Sequence, residues 1–174
     1  MKRILETDRL VLRKMTHADY PALAAILQDE QTMYAYEGAY SDEETQAWLD
    51  RNLRRYAADG FGLWAAALKA TGEMIGQCGI TWQDVNGERV PEIGYLFNRM
   101  HWHNGYATEA AVACKEYAFH TLGFVKIYSI IRDTNGASKA VAIRNGMAVC
   151  GRLNKHFRNV DMPHDVYCVY RDFL

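Results

Sequence analysis

Proline is scarce, at three residues in 174, and no stretch rich in Pro, Gly or Ser divides the chain. No interdomain linker is marked, so residues 1–174 read as one continuous domain, a length that a single core can serve. Surplus charge is missing too, with 20 Lys and Arg against 21 Asp and Glu. Nucleic-acid binders carry a basic excess or stripe, and neither is present, so no nucleic-acid partner is expected. No apolar run is long enough to span a bilayer. Charge interrupts the N-terminus at Lys2, Arg3 and Glu6, which excludes the apolar stretch of a signal peptide. A cytoplasmic protein with no membrane partner is the expectation.

The four cysteines, Cys78, Cys114, Cys150 and Cys168, form no CxxC pair, which speaks against a zinc ribbon or a redox motif. Each sits among apolar neighbours, so buried free thiols in a reducing compartment are expected. His101 and His103 make an HxH pair without the further ligands that a metal site needs, so no metal is expected. Neither GxGxxG nor GxxxxGK[ST] occurs, which removes the main signatures of a dinucleotide fold and a P-loop.

What is present is an ordinary globular composition, 49% hydrophobic and 24% charged, with a clear alternation of periods. Residues 10–15 form a short aliphatic strand. Thr16 and Asp19 make an imperfect capping box ahead of Leu23, Ala24 and Leu27 at helical spacing. Ser41 and Glu44 repeat that signal before a second helix with Thr45, Trp48, Leu49, Asn52, Leu53 and Tyr56 on one face. Period two then takes over in strands at 61–68, 74–82 and 90–97, the last two joined by an Asn86-Gly87 hairpin signal. A helix at 105–121 presents Ala107, Ala110, Ala111, Cys114 and Ala118 on one side. A strand at 125–131, a short helix at 135–145 stopped by Gly146, and closing strands at 147–153 and 166–173 complete the order βααβββαβαββ. That order describes an α/β (α+β) fold, with a mixed, mostly antiparallel sheet of about seven strands and four helices. The terminal strand at 166–173 is a candidate sheet edge, through which a homodimer would form.

One segment carries chemistry: Glu92-Ile-Gly-Tyr-Leu-Phe-Asn-Arg-Met-His-Trp-His-Asn-Gly-Tyr-Ala-Thr-Glu-Ala110. A strand enters a tight loop, and the loop opens a helix at Gly105. Such a helix start offers unpaired N–H groups and a positive dipole end, a seat for a pyrophosphate that needs no lysine. A plain strand-to-helix turn with a convenient glycine is the alternative.

This segment resembles the core of the GCN5-related N-acetyltransferase (GNAT) superfamily, in particular the RimJ/RimL-like group. Ile93-Gly-Tyr95 and Trp102 to Ala110 are similar to the family's GY…WGxGYATEA. Thr7-Asp-Arg-Leu-Val-Leu-Arg13 is similar to its first strand, and Asn135-Gly-Ala-Ser138 with Asn145-Gly-Met147 to its NxxS…GF. The resemblance implies an acetyl-CoA-dependent transferase with an amine acceptor and direct transfer. It implies that backbone groups near Leu96, Phe97 and Asn98 hold the pantetheine arm. It implies a pyrophosphate on His103, Asn104, Gly105, Tyr106, Ala107 and Thr108. Asn135 would bond the pantetheine and Ser138 would lie near the thioester sulfur. Two positions depart from the family: His103 replaces a glycine, and Ala142 stands where many members have a proton-donating tyrosine.

Glu92 is the candidate general base, acting through a water, in a strand otherwise apolar; a solvent-facing strand-end carboxylate is the plainer alternative. Ser138 is the candidate donor to the leaving sulfur, or a helix-face serine bonded to its own backbone. Glu30, Glu37, Asp42, Glu43 and Glu44 would attract a cationic amine, or simply form a solvated acidic helix start. Tyr34, Tyr36 and Tyr40 would line an acceptor pocket or pack on the surface. The reference pKa of an α-amine, about 7.7–8.0 against about 10.4 for lysine, favours a peptide or protein N-terminus as acceptor. A polyamine, an antibiotic or another small amine is the alternative, and a CoA-binding module without catalysis is a third.

Overall fold

The computed structural model describes residues 3–172. Its strands are β1 (Arg3–Glu6), β2 (Leu10–Arg13), β3 (Leu63–Leu68), β4 (Met74–Val85), β5 (Glu88–Phe97), β6 (Lys126–Arg132), β7 (Ala148–Phe157) and β8 (Val160–Tyr170). Its α-helices are α1 (Tyr20–Leu27), α2 (Asp42–Ala58), α3 (Tyr106–His120) and α4 (Gly136–Arg144). The strands make one sheet in the order β1-β2-β3-β4-β5-β6-β8-β7. Only β5 and β6 run parallel. The mixed, mostly antiparallel sheet with four helices is as the sequence predicts, with eight strands rather than seven.

The added strand is β1, a charged segment whose backbone pairs with β2. The last strand also differs from expectation. β8 lies between β6 and β7, so the edges are β1 and β7, and residues 166–170 are not available for pairing with a second copy. Phe173, assigned to that strand, lies outside the described residues. Cys78, Cys114 and Cys168 are buried free thiols, but Cys150 is exposed, on the edge strand β7.

Alternation along β4 separates the two faces. Gln77 accepts a hydrogen bond from Trp48 of α2, at 3.0 Å, while its neighbour Cys78 meets Cys114 of α3. Helices α2 and α3 therefore cover opposite faces, as period two requires. On the α3 side the core stacks Trp64 edge-on against Tyr117. The small residues Ala110, Ala111, Cys114 and Ala118 are fully buried and let α3 lie close. On the α2 side Tyr56 donates to the Leu63 carbonyl. Both capping boxes form, with Thr16 N–H on Asp19 and Ser41 N–H on Glu44, each at 2.8 Å.

Candidate active site

The site begins where the sheet parts. β5 and β6 share one paired position, Glu92 opposite Tyr128. Beyond it, side chains replace the ladder. The buried Ser129 hydroxyl donates to the Ile93 carbonyl at 2.8 Å, and the Ile130 N–H donates to Glu92 Oε2 at 3.0 Å. The Asn98 N–H bonds Ile75, so even-numbered residues of β5 turn their backbone groups toward β4. Odd-numbered ones face the opening. Tyr95 and Phe97, rather than Leu96, thus present backbone groups there, and the Phe97 carbonyl is already taken by Trp102 Nε1 at 2.8 Å.

The opening leads into a cavity of about 420 Å³. Glu92, Leu96, Asn135 and Ser138 all line it, so four of the residues singled out in the sequence meet in one place. Among the described residues Glu92 is its only carboxylate. Burial holds that carboxyl above the ordinary carboxylate range, against the opposing pull of Lys155, the Ile130 N–H and Arg55. Register puts Glu92 opposite Thr81 and on the same face as Gln77, toward α2. It is not a solvent-facing strand end.

Helix α4 delivers the other two groups. Asn135 is its N-cap. Its Oδ1 accepts from Ser138 N–H at 3.1 Å and from the Tyr34 hydroxyl at 2.8 Å, which leaves Nδ2 as a donor. The Ser138 carbonyl accepts from Tyr95 at 2.7 Å. Its hydroxyl has no partner among the described residues. Tyr95, a residue of the motif, ties α4 to β5 through its bond to the Ser138 carbonyl. Ala142 is fully buried, so no side chain from that position reaches the cavity.

Phe97, Asn98 and residues 103–108 lie outside the cavity, along the strand-to-helix turn. Asn98 caps a short turn through Met100 N–H, and Asn104 Nδ2 bonds the carbonyls of His101 and Trp102. Tyr106, Ala107 and Thr108 are the first turn of α3, where N–H groups have no helical acceptor. Gly105 takes φ of +80°. Glu109 ties this turn to the N-terminal segment by accepting from Arg9 N–H and Arg9 Nε, at 2.9 and 2.7 Å. His103 keeps the left-handed geometry of a glycine, with φ of +63°. Histidine visits that region at a cost of about 1–2 kcal/mol. His103→Gly is therefore expected to raise the Tm by about 2–4 °C, read by thermal unfolding, the shift that about 1 kcal/mol gives at this size.

The acidic cluster does not reach the cavity. Glu44 pairs with Arg158 and Glu37 with Arg132, while Asp42 accepts from Gln28. Tyr36 and Tyr40 do line it, in an edge-to-face group with Trp48. Burial pushes both phenols up from their ordinary pKa, and Tyr36 further than Tyr40. The roof is the β7–β8 hairpin, whose tip is pinned. Arg158 bonds the Glu37 and Ala39 carbonyls, at 3.1 and 3.3 Å, and both oxygens of Glu44.

The sequence and the fold that carry this site are matched in known proteins. Residues 9–148 match the family model described as an acetyltransferase (GNAT) domain. The chain belongs to the GNAT acetyltransferase family. It is 41% identical over 167 residues to YkkB of Bacillus subtilis (strain 168), an uncharacterized protein, covering 95% of each chain. The crystal structure of an acetyltransferase from Agrobacterium tumefaciens superposes with a TM-score of 0.79 at 32% identity, covering 96% of this chain and 94% of that one. RimL, a ribosomal L7/L12 α-N-protein acetyltransferase solved with coenzyme A, has a TM-score of 0.78 at 19% identity, covering 97% of this chain and 98% of its own. RimL shares the GNAT fold with this chain. The protein is thus an acyltransferase of the GNAT type.

Proposed function

We propose that this acetyltransferase moves the acetyl group of acetyl-CoA directly to a small primary α-amine, with Glu92 as general base through a water. The observation that carries the reading is the lone cavity carboxylate, held by burial above its ordinary pKa. A base serves best when its pKa lies near the working pH. Acetyl-CoA supplies the acyl group and a thiolate leaving group.

The residues available to hold acetyl-CoA fit it. Tyr95 and Phe97 offer N–H groups beside the parted strands, where an oxyanion would form. Asn135 has a spare Nδ2 donor, and residues 103–108 form a loop and helix start suited to a pyrophosphate. The Ser138 hydroxyl is unengaged and is proposed to polarise the leaving sulfur. The roof pinned by Arg158 favours a small acceptor over the N-terminus of a folded protein.

The test is CoA thiol release from acetyl-CoA with α-amino acids and their amides, peptides beginning with Ser, Ala or Met, a lysine peptide, spermidine and an aminoglycoside. Release with the small α-amines at the highest kcat/KM is the expected result. Release confined to long peptide N-termini or polyamines overturns the acceptor assignment, and saturable acetyl-CoA binding without release overturns the proposed transfer.

A further inference from the structure

We infer that the amine acceptor also carries a carboxylate, as free amino acids and short peptides do, and that Arg51, Arg55 and Gln77 form the subsite that binds it. The inference rests on the acetyl-transfer reading above and narrows its acceptor.

The cavity lining is cationic. Arg51 and Arg55, one turn apart on α2, and Lys155 on β7 all line it, against the single carboxylate of Glu92. Arg132 also lines it but is already paired with Glu37. Arg51 lies over the Trp48 ring, its guanidinium carbon 5.3 Å from the ring centroid, and among the described residues it meets no acid. Arg55 and Lys155 make no hydrogen bond or ion pair with the described residues. Burial and the neighbouring Arg51 pull the Arg55 pKa down, against the opposing charges of Asp59 and Glu92. Arg55 and Lys155 are half-buried and Arg51 is exposed at the rim, and cations so placed without an ion-pair partner are what an anionic ligand neutralises.

Gln77 supplies an independent sign. It is fully buried, and it lines the same cavity. Its Oε1 accepts from Trp48 Nε1 at 3.0 Å. An indole N–H only donates, so the amide orientation is fixed and Nε2 is the other end. Nε2 has no hydrogen-bond partner among the described residues. A buried amide donor of this kind is costly to leave unmade, and a ligand oxygen removes the cost. Two arginines in the cavity lining and one unpaired amide donor buried in its wall suit a molecule that carries an acid as well as an amine. A polyamine would place further positive charge against Arg51, Arg55 and Lys155.

The experiment compares amino acids and dipeptides with their C-terminal carboxamides in steady-state acetyl transfer. Amidation lowers the amine pKa and so favours the amide chemically; a preference for the acid therefore reports binding. The acid is expected to exceed its amide in kcat/KM by about 10- to 100-fold, the range that a charged hydrogen bond supplies. Arg55→Gln and Gln77→Met should erase most of that preference, so that the acid-to-amide ratio of kcat/KM falls toward one; any change in the Glu92 base acts on both substrates and leaves that ratio unmoved. Arg55→Lys should restore part of it. Unchanged thermal unfolding and acetyl-CoA binding by calorimetry establish that each variant is folded. Equal turnover of acid and amide by the wild type overturns the inference and leaves acetyl transfer to α-amines intact. The same holds if the preference survives in both Arg55→Gln and Gln77→Met. Turnover of no α-amine at all overturns the acetyl-transfer reading, and this inference with it.

Discussion

Glu92→Gln is expected to lower kcat/KM for acetyl transfer by about 100- to 10,000-fold, the contribution of a positioned general base, while acetyl-CoA affinity stays within about twofold. Glutamine keeps the shape, and its carbonyl still accepts from Ile130 N–H as Oε2 does at 3.0 Å. What is lost is the ability to take a proton. The pH profile separates this from a structural effect. A base works only when ionised, so wild-type kcat/KM should fall as pH drops through the raised Glu92 pKa, above the ordinary carboxylate range. The variant should lack that limb. Stability should move the other way. Burial favours the protonated carboxyl in the fold, so its stabilising effect is present at low pH and is lost as pH rises through the raised pKa. Glu92→Gln should therefore match the wild type in Tm near pH 4 and equal or exceed it at pH 8. A Tm that falls together with activity at pH 8 would assign Glu92 to structure rather than to proton transfer.

Gly79→Ala should be among the most damaging single substitutions in the chain, lowering stability by about 3 kcal/mol or more and the Tm by roughly 6–12 °C. Gly79 sits in mid-β4 on the α2 face, opposite Leu63 on β3 and Gly94 on β5. A Cβ there would lie 2.0 Å from the Gly62 carbonyl oxygen and 2.9 Å from Leu63 Cα. Both are backbone atoms, so no side chain can swing away. The Gly62 carbonyl also accepts from Ile80 N–H at 3.2 Å, so moving it breaks a bond within the sheet. Gly60→Ala is the contrast: its position has open space but φ of +81°, and only local strain of about 1 kcal/mol is expected. Urea unfolding of the two variants measures the difference. Equal losses would show that crowding at Gly79 is relieved by strand movement.

The parts of this molecule that sequence made legible are those with local causes. Ser41 and Glu44 predict the start of α2, and the Asn86-Gly87 pair predicts the β4–β5 hairpin, where both residues take positive φ. The Gly105 turn was readable because it needs a residue without a side chain at one position, where φ is +80°. The β7–β8 hairpin was read too short. Its turn uses Arg158 and Asn159 at positive φ with no glycine to mark it, and its strands run through Asn154, Lys155, His156 and Asp161, which carry no apolar period. The exchange of β7 and β8 in the sheet is a long-range pairing that no local pattern encodes. The same is true of the cavity walls. Arg51 and Arg55 occupy what looks like the solvent side of an amphipathic helix, and Gln77 looks like an ordinary residue of an alternating strand. Packing of α2 on β4 through the Trp48–Gln77 bond brings them together, and the hairpin roofs the chamber. Glu92 was found because an acid in an apolar strand is conspicuous; its bond to Ile130 was not, since it joins residues 38 positions apart.

That bond, with the one from Ser129, sets the energetic character of the chamber. Two strands that part usually leave either a zipped ladder, which a guest must prise open, or bare peptide groups. Here the gap is propped by a hydroxyl and a carboxylate before any guest arrives. Its shape is established during folding, so little binding energy is diverted into opening it. The prop is also asymmetric. One oxygen of Glu92 braces β6 and the other is unengaged, so in the proposed transfer a single side chain would serve as strut and as reagent at the same moment.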